Sequence, residues 1–150
     1  MDPIKRALEL AVQNVREGGT PFGAVLVKGD EIVAEDVNRT HQRYDVSAHA
    51  EMEAIRRAQE KLGQTDLKDC VMYASGQPCP MCLTAMYFAG IEKVFYAQTI
   101  LEAEEAGLGL SKHVYMELSK PKEQRSIDMV HVPISNSDFD AMGYYKKEND

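Results

Sequence analysis

From Phe22 onward the chain alternates between strand-like and helix-like runs, and this alternation restricts it to a sheet with helices packed on both faces. Phe22 to Val27 and Glu31 to Val37 are β-rich and joined by Lys28-Gly29-Asp30, which reads as a hairpin turn. Cys70 to Ser75 and Lys93 to Ala97 are two further strands, and Ile127 to Val132 has the content of a fifth. Between them the spacing turns helical. Asp2 and Pro3 form an N-cap and first helical position, and Ile4, Leu8, Ala11, Val12 and Val15 recur at helical intervals until Gly18-Gly19. Ser47 reads as the cap of a second helix, with Met52, Ile55, Ala58 and Leu62 on its apolar face and Gly63 as its stop. Pro80 opens a third, running to about Phe88 before Gly90. Glu102 to Ala106 reads as helix and Gly107 with Gly109 as loop, and Phe139 to Lys147 as a short terminal helix. The predicted class is α/β, three layers deep.

The chain has 150 residues, 44% of them hydrophobic, and no internal repeat or linker. That matches one domain, 1–150, able to build a core without disulfides. No apolar run reaches the roughly 18 residues of a membrane span, so no membrane partner is predicted. The acidic start Met1-Asp2-Pro3 lacks the features of a secretory leader, and the expected compartment is the cytoplasm. Lys and Arg number 17 against 24 Asp and Glu, a net charge of -7. The basic residues are dispersed among acids, which argues against a nucleic-acid partner.

Three cysteines cannot all pair within the chain. Cys70 lies in an apolar run and reads as a core residue. Cys79 and Cys82 form a Cys-x-x-Cys pair at a helix start, which by itself fits either a metal site or a redox pair. Thirty residues upstream, His49-Ala50-Glu51 adds one good zinc ligand and a carboxylate two positions on. His49, Cys79 and Cys82 would leave the fourth zinc position open for water, as catalytic sites do; a structural site would need a fourth residue, for which His41 and Cys70 are candidates. Zinc makes bound water more acidic. Glu51 is placed to take that proton and hand it to a ring nitrogen and departing ammonia. His41, His113 and His131 read as surface or loop residues.

His-x-Glu followed by Pro-Cys-x-x-Cys is the signature of zinc deaminases of nucleobases. The chain resembles the cytidine deaminase-like superfamily, and within it the bacterial guanine deaminase and nucleoside deaminase branch. The likeness is carried by Thr20-Pro21-Phe22-Gly23-Ala24-Val25, Asn38, His49-Ala50-Glu51, Pro78-Cys79-Pro80-Met81-Cys82-Leu83, Val94-Phe95-Tyr96-Ala97, Glu105-Ala106-Gly107 and Lys120 to Arg125. It covers nearly all of the chain, with the last dozen residues matching only loosely. The resemblance implies the cytidine deaminase-like fold, a mixed sheet of about five strands between helices. It also implies that Asn38 hydrogen-bonds the base, Phe22 lines the pocket, the Ala50 backbone contacts substrate and Phe88 covers the ring. It implies a homodimer in which the tail from about residue 121 is exchanged to close the neighbour's pocket.

The chain departs from its relatives in three places. Where guanine deaminases of this branch carry an Asp as a second proton relay, the segment after Gly107 reads Leu108-Gly109-Leu110-Ser111-Lys112, one residue longer and without an acid. Gln77 stands where relatives have glutamate, and the end, Glu148-Asn149-Asp150, has no aromatic. The expected activity is zinc-dependent hydrolytic deamination of a small aminated heterocycle, a purine-type base or nucleoside. Guanine itself is left open by the missing acid. A tRNA adenosine, cytosine or another aminated ring, or a catalytically idle zinc-stabilised binding module, are the alternatives.

Overall fold

The computed structural model describes residues 1–150, apart from the side chain of Ser137. Residues 1–116 and 117–150 form two compact units. In the first, α1 (Pro3–Arg16) starts on Asp2, whose side chain accepts from the Lys5 amide, and Pro3 needs no partner in the first turn. β1 (Gly23–Lys28) and β2 (Glu31–Val37) pair antiparallel through a turn in which Gly29 has φ +61°. α2 (Ala50–Leu62), β3 (Cys70–Gly76), α3 (Pro80–Ala89) and β4 (Val94–Gln98) follow, then α4 (Ile100–Glu105) and α5 (Leu110–Leu118).

The sheet is mixed, in the order β2-β1-β3-β4. β1 runs antiparallel to β2 and β3, and β3 is parallel to β4 across the α3 crossover. Period-two alternation sorts β1 between two cores. Ala24 and Leu26 pack with Ala50, Ala54 and Ala58 of α2 and with Met86 and Ala89 of α3. Val25 and Val27 pack on the other face with Ala7 and Leu10 of α1. Helices on both faces make the three layers predicted from the alternation. The sheet has four strands, because Ile127 to Val132 forms none and Ile127, Met129, Val130 and Val132 stay exposed. A β-rich run needs a strand to pair with, and residues 117–150 supply no other.

Three local expectations shift. The deepest face of α1 is Ala7, Ala11 and Asn14, while Val12 and Val15 are half exposed. Small residues let α1 approach the sheet: a Cβ on Gly23 would sit 2.4 Å from the Ala7 carbonyl oxygen. His49, not Ser47, occupies the N-cap of α2, because the Ser47 amide and hydroxyl are both donated to Asp45 Oδ1 at 2.8 and 2.7 Å. α5 was not anticipated, although Leu110, Val114 and Leu118 share a helical stripe.

The second unit includes a 3-10 turn (Lys122–Gln124) and α6 (Ala141–Glu148), capped by Asp140. Glu117 accepts from Lys120 Nζ and from the Ser126 amide at 2.7 Å, and these partners hold its carboxyl down to about 2. α6 matches the terminal helix expected from the sequence.

Buried Asp36 fastens β2 to α2. It accepts from the Val37 amide at 2.7 Å, Arg39 Nε at 2.9 Å and Arg57 Nε at 2.6 Å. Asp36→Ala is expected to cost about 3 kcal/mol in urea unfolding, because three donors lose their acceptor. Arg57→Ala, which removes a half-exposed partner, is expected to cost no more than about 1 kcal/mol. Equal losses would show that Asp36 is not the hub of this contact.

Candidate active site

Two helix starts meet at one end of the sheet. His49 caps α2, and Cys79 caps α3, where its sulfur accepts from the Cys82 amide at 3.4 Å. Pro80 follows at the first helical position. The segment between β3 and α3 is braced at two adjacent residues. The Gln77 amide donates to the Gln98 carbonyl at 2.8 Å, and Tyr115 Oη donates to the Pro78 carbonyl at 2.6 Å. The unpaired N–H groups and positive dipole ends of the two helices favour negative charge here.

The His49 Nδ1 atom lies 3.4 Å from Cys79 Sγ and 3.5 Å from Cys82 Sγ. All three ligand atoms are within 4.8 Å of one another. Zinc–nitrogen and zinc–sulfur bonds at a tetrahedral angle separate their ligand atoms by roughly 3.5 to 3.8 Å, so the trio fits one zinc ion. The sulfur chemistry fits as well. Hydrogen bonding from Cys82, with help from His49, holds the Cys79 thiol down to about 4, while Cys82 is pushed up by giving that bond and by burial. Two sulfurs within 4.8 Å of each other thus carry the negative charge unevenly, an arrangement a divalent cation replaces by stabilising both thiolates. Among the described residues no fourth His, Cys or acid joins the cluster; Cys70 is buried in the core and His41 is exposed.

Glu51, 6% exposed, lies in the first turn of α2 and reaches the same space. Burial pushes its carboxyl above the usual range, and the nearby Cys79 charge adds to this. A carboxyl so placed holds a proton more readily than one in water, which suits a proton carrier.

His49, Glu51 and Cys79 line a cavity of about 750 Å³, and Cys82 lies buried behind them. Phe22 and Asn38 line it too, as expected. Asn38 Oδ1 already accepts from the Thr40 amide at 3.0 Å and the Thr40 hydroxyl at 2.7 Å, so its NH₂ group is the end left for a ligand. Ala50 is fully buried at the first position of α2, and its side chain is not part of the wall. Phe88 departs from expectation: it is 88% exposed and does not line the cavity. The buried face of α3 carries Cys82, Met86 and Ala89, and two residues beyond Met86 is about 200° around the helix.

Much of the wall lay outside the sequence motifs. Thr40, Arg43, Tyr44, Asp45 and Val46 come from the segment between β2 and α2, and Leu108, Leu110 and Ser111 from the loop and first turn of α5. Gln77, read as a departure from the relatives, also lines it, with its Oε1 accepting from the Ile100 amide at 3.0 Å. The spacing Leu110, Val114 carried the one signal that could have found the α5 side.

Comparison with known proteins agrees with this geometry. Residues 2–98 match the family model described as the cytidine and deoxycytidylate deaminase zinc-binding region. The chain is 46% identical over 133 residues to a guanine deaminase of Bacillus subtilis, covering 88% of this chain and 85% of that protein. It is 30% identical over 144 residues to a tRNA-specific adenosine deaminase of Aquifex aeolicus, covering 96% and 92%. The X-ray structure of guanine deaminase from Bacillus subtilis superposes with a TM-score of 0.88 at 40% identity over 99% of this chain and 94% of that one. A solved structure in complex with 8-azaguanine matches with a TM-score of 0.66 at 29% identity, covering 70% and 61%. The chain belongs to the cytidine and deoxycytidylate deaminase family, whose members bind zinc through this region.

The sulfur electrostatics are directly measurable. In metal-free protein at pH 6, iodoacetamide is expected to alkylate Cys79 before Cys82 and Cys70, because Cys79 alone is thiolate there. One equivalent of zinc should suppress the labelling. First labelling at Cys70, or no protection by zinc, would contradict the assignment.

Proposed function

We propose that this protein deaminates a purine-type base or nucleoside by hydrolysis, with His49, Cys79 and Cys82 holding zinc and Glu51 moving the proton. The observation that carries the reading is a buried carboxyl beside a three-ligand cluster, both opening into one cavity. Bound zinc supplies the Lewis acidity that makes a water molecule nucleophilic near neutral pH. Glu51 accepts the proton that this water gives up and delivers it to the ring nitrogen next to the amine-bearing carbon. Glu51 then takes the second proton from the hydroxyl added to that carbon and gives it to the leaving amine, so the carbonyl forms, ammonia departs and Glu51 ends ionised as it began. Phe22 offers a ring against which a flat heterocycle packs. Asn38 Nδ2 donates to a ring or carbonyl acceptor.

The substrate choice rests on likeness to the guanine deaminase of Bacillus subtilis. A tRNA adenosine is the second reading, by likeness to the Aquifex aeolicus enzyme, and the net charge of -7 weighs against it. We also read residues from about 121 onward as a tail exchanged in a homodimer; Ile127, Val130, Phe139 and Tyr145 of that segment are exposed apolar side chains in the single chain.

Ammonia release from guanine, guanosine, adenosine, cytosine and a tRNA anticodon stem tests the reading. Zinc-dependent turnover of a purine is expected, abolished by a chelator and lowered about a hundred- to ten-thousandfold in Glu51→Gln with zinc content unchanged. Zinc-loaded protein that hydrolyses none of these amines, or keeps full turnover in Glu51→Gln, would refute it.

A further inference from the structure

Two side-chain polar atoms among the described residues are buried without a hydrogen-bond partner, Thr20 Oγ1 and Ser111 Oγ. Folded proteins leave few such atoms, and each calls for a physical reason. Both residues line the cavity above the metal cluster, one from the segment before β1 and the other from the first turn of α5, 91 positions apart in the chain. Two residues with orphaned hydroxyls that line one pocket from remote segments point to a common cause.

The groups around them are already committed. The Thr20 carbonyl accepts from Asn14 Nδ2 at 2.8 Å and from the Phe22 amide at 2.9 Å, so the backbone of this residue is held while its hydroxyl is left over. Asn14 is itself buried and also donates to the Asn38 carbonyl at 3.0 Å, which ties the Thr20 and Asn38 segments to α1. Asn38 Oδ1 is taken by Thr40, and Gln77 Oε1 by the Ile100 amide. Neither Thr20 nor Ser111 has any such internal alternative.

Resting on the deaminase reading above, we propose that the Thr20 and Ser111 hydroxyls are specificity-determining groups that hydrogen-bond the polar edge of the substrate ring. A hydroxyl donates once and accepts as well, and a turn about χ1 redirects it without moving the backbone. The ring that satisfies both carries donors and acceptors beyond the amine being hydrolysed, as an oxo- and amino-substituted purine does and unsubstituted purine does not. Serine and threonine keep their protons at neutral pH, so the two residues orient the ring and take no part in proton transfer.

The test uses the full zinc-loaded chain carrying Glu51→Gln, chosen to slow turnover, with 8-azaguanine as the probe in calorimetry. Ser111→Ala and Thr20→Val are each expected to weaken binding about three- to tenfold, the range of one ordinary hydrogen bond. The affinity for unsubstituted purine should change less than twofold. The ligand-free melting temperature should stay the same or rise, because each substitution removes an unpartnered buried polar atom. A structural hydroxyl would lower it. The proposal is overturned if 8-azaguanine affinity stays within twofold of the parent, if purine loses affinity equally, if ligand-free stability drops by several degrees, or if the parent does not bind the probe. Ammonia release by protein with Glu51 intact decides the deaminase reading separately, so the two failures are distinguishable.

Discussion

An imidazole nitrogen and two sulfurs within 4.8 Å of one another impose the tightest requirement on this fold. Left to themselves, two thiols and a histidine in a half-buried corner share protons unevenly, and Cys79 takes the negative charge at the expense of Cys82. The arrangement holds because both ligand-bearing segments are helix caps. Their free backbone N–H groups and dipole ends point to the same corner and favour the anionic forms a metal needs. The rest of the first unit serves that convergence. β1 and β3 are neighbours, α2 and α3 cover one face of them, and the two helices therefore begin near each other.

The part of the wall between β2 and α2 is fastened by charge. Glu53, buried on α2, accepts from Arg43 Nη1 at 2.9 Å and Arg56 Nη1 at 2.8 Å. Arg56 also donates to the Ser47 hydroxyl at 2.6 Å, and Ser47 donates to Asp45. Asp36 anchors Arg39 and Arg57 in the same way nearer the hairpin. The stretch from Arg39 to Ser47 has no regular structure of its own, yet it is tied to α2 at several points. A loop so anchored can present Thr40, Arg43, Tyr44, Asp45 and Val46 to the cavity with a defined shape. Metal chemistry and substrate shape thus depend on one helix, α2, whose first turn carries Glu51 and whose next residues hold the wall.

Much of this was legible in the chain. His49, Glu51, Cys79 and Cys82 stood out because metal chemistry needs those residue types at short spacings, and Pro80, Gly63 and Gly90 marked the helix ends nearby. Phe22 and Asn38 came from resemblance and reach the cavity. Phe88 came from the same source and faces solvent, because helical phase at one position depends on which side of α3 meets the sheet. Ser47 looked like a cap, and the carboxylate of Asp45 two residues earlier took its hydroxyl.

The sequence by itself determined the reaction class, since three ligands and one carboxylate are local signals that survive without knowing how the chain folds. It also determined the layered α/β class, because period-two and period-3.6 patterns are properties of short segments. The tertiary structure alone decided which side chains form the cavity wall and which polar atoms are left unpartnered. Thr20 opens a family motif and Ser111 lies in the segment that departs from the relatives, yet neither context marks out the hydroxyl. Their hydroxyls matter only because packing buries them, uses up the acceptors nearby, and brings two remote segments to one pocket. Burial and partnership are long-range properties, and no local pattern records them.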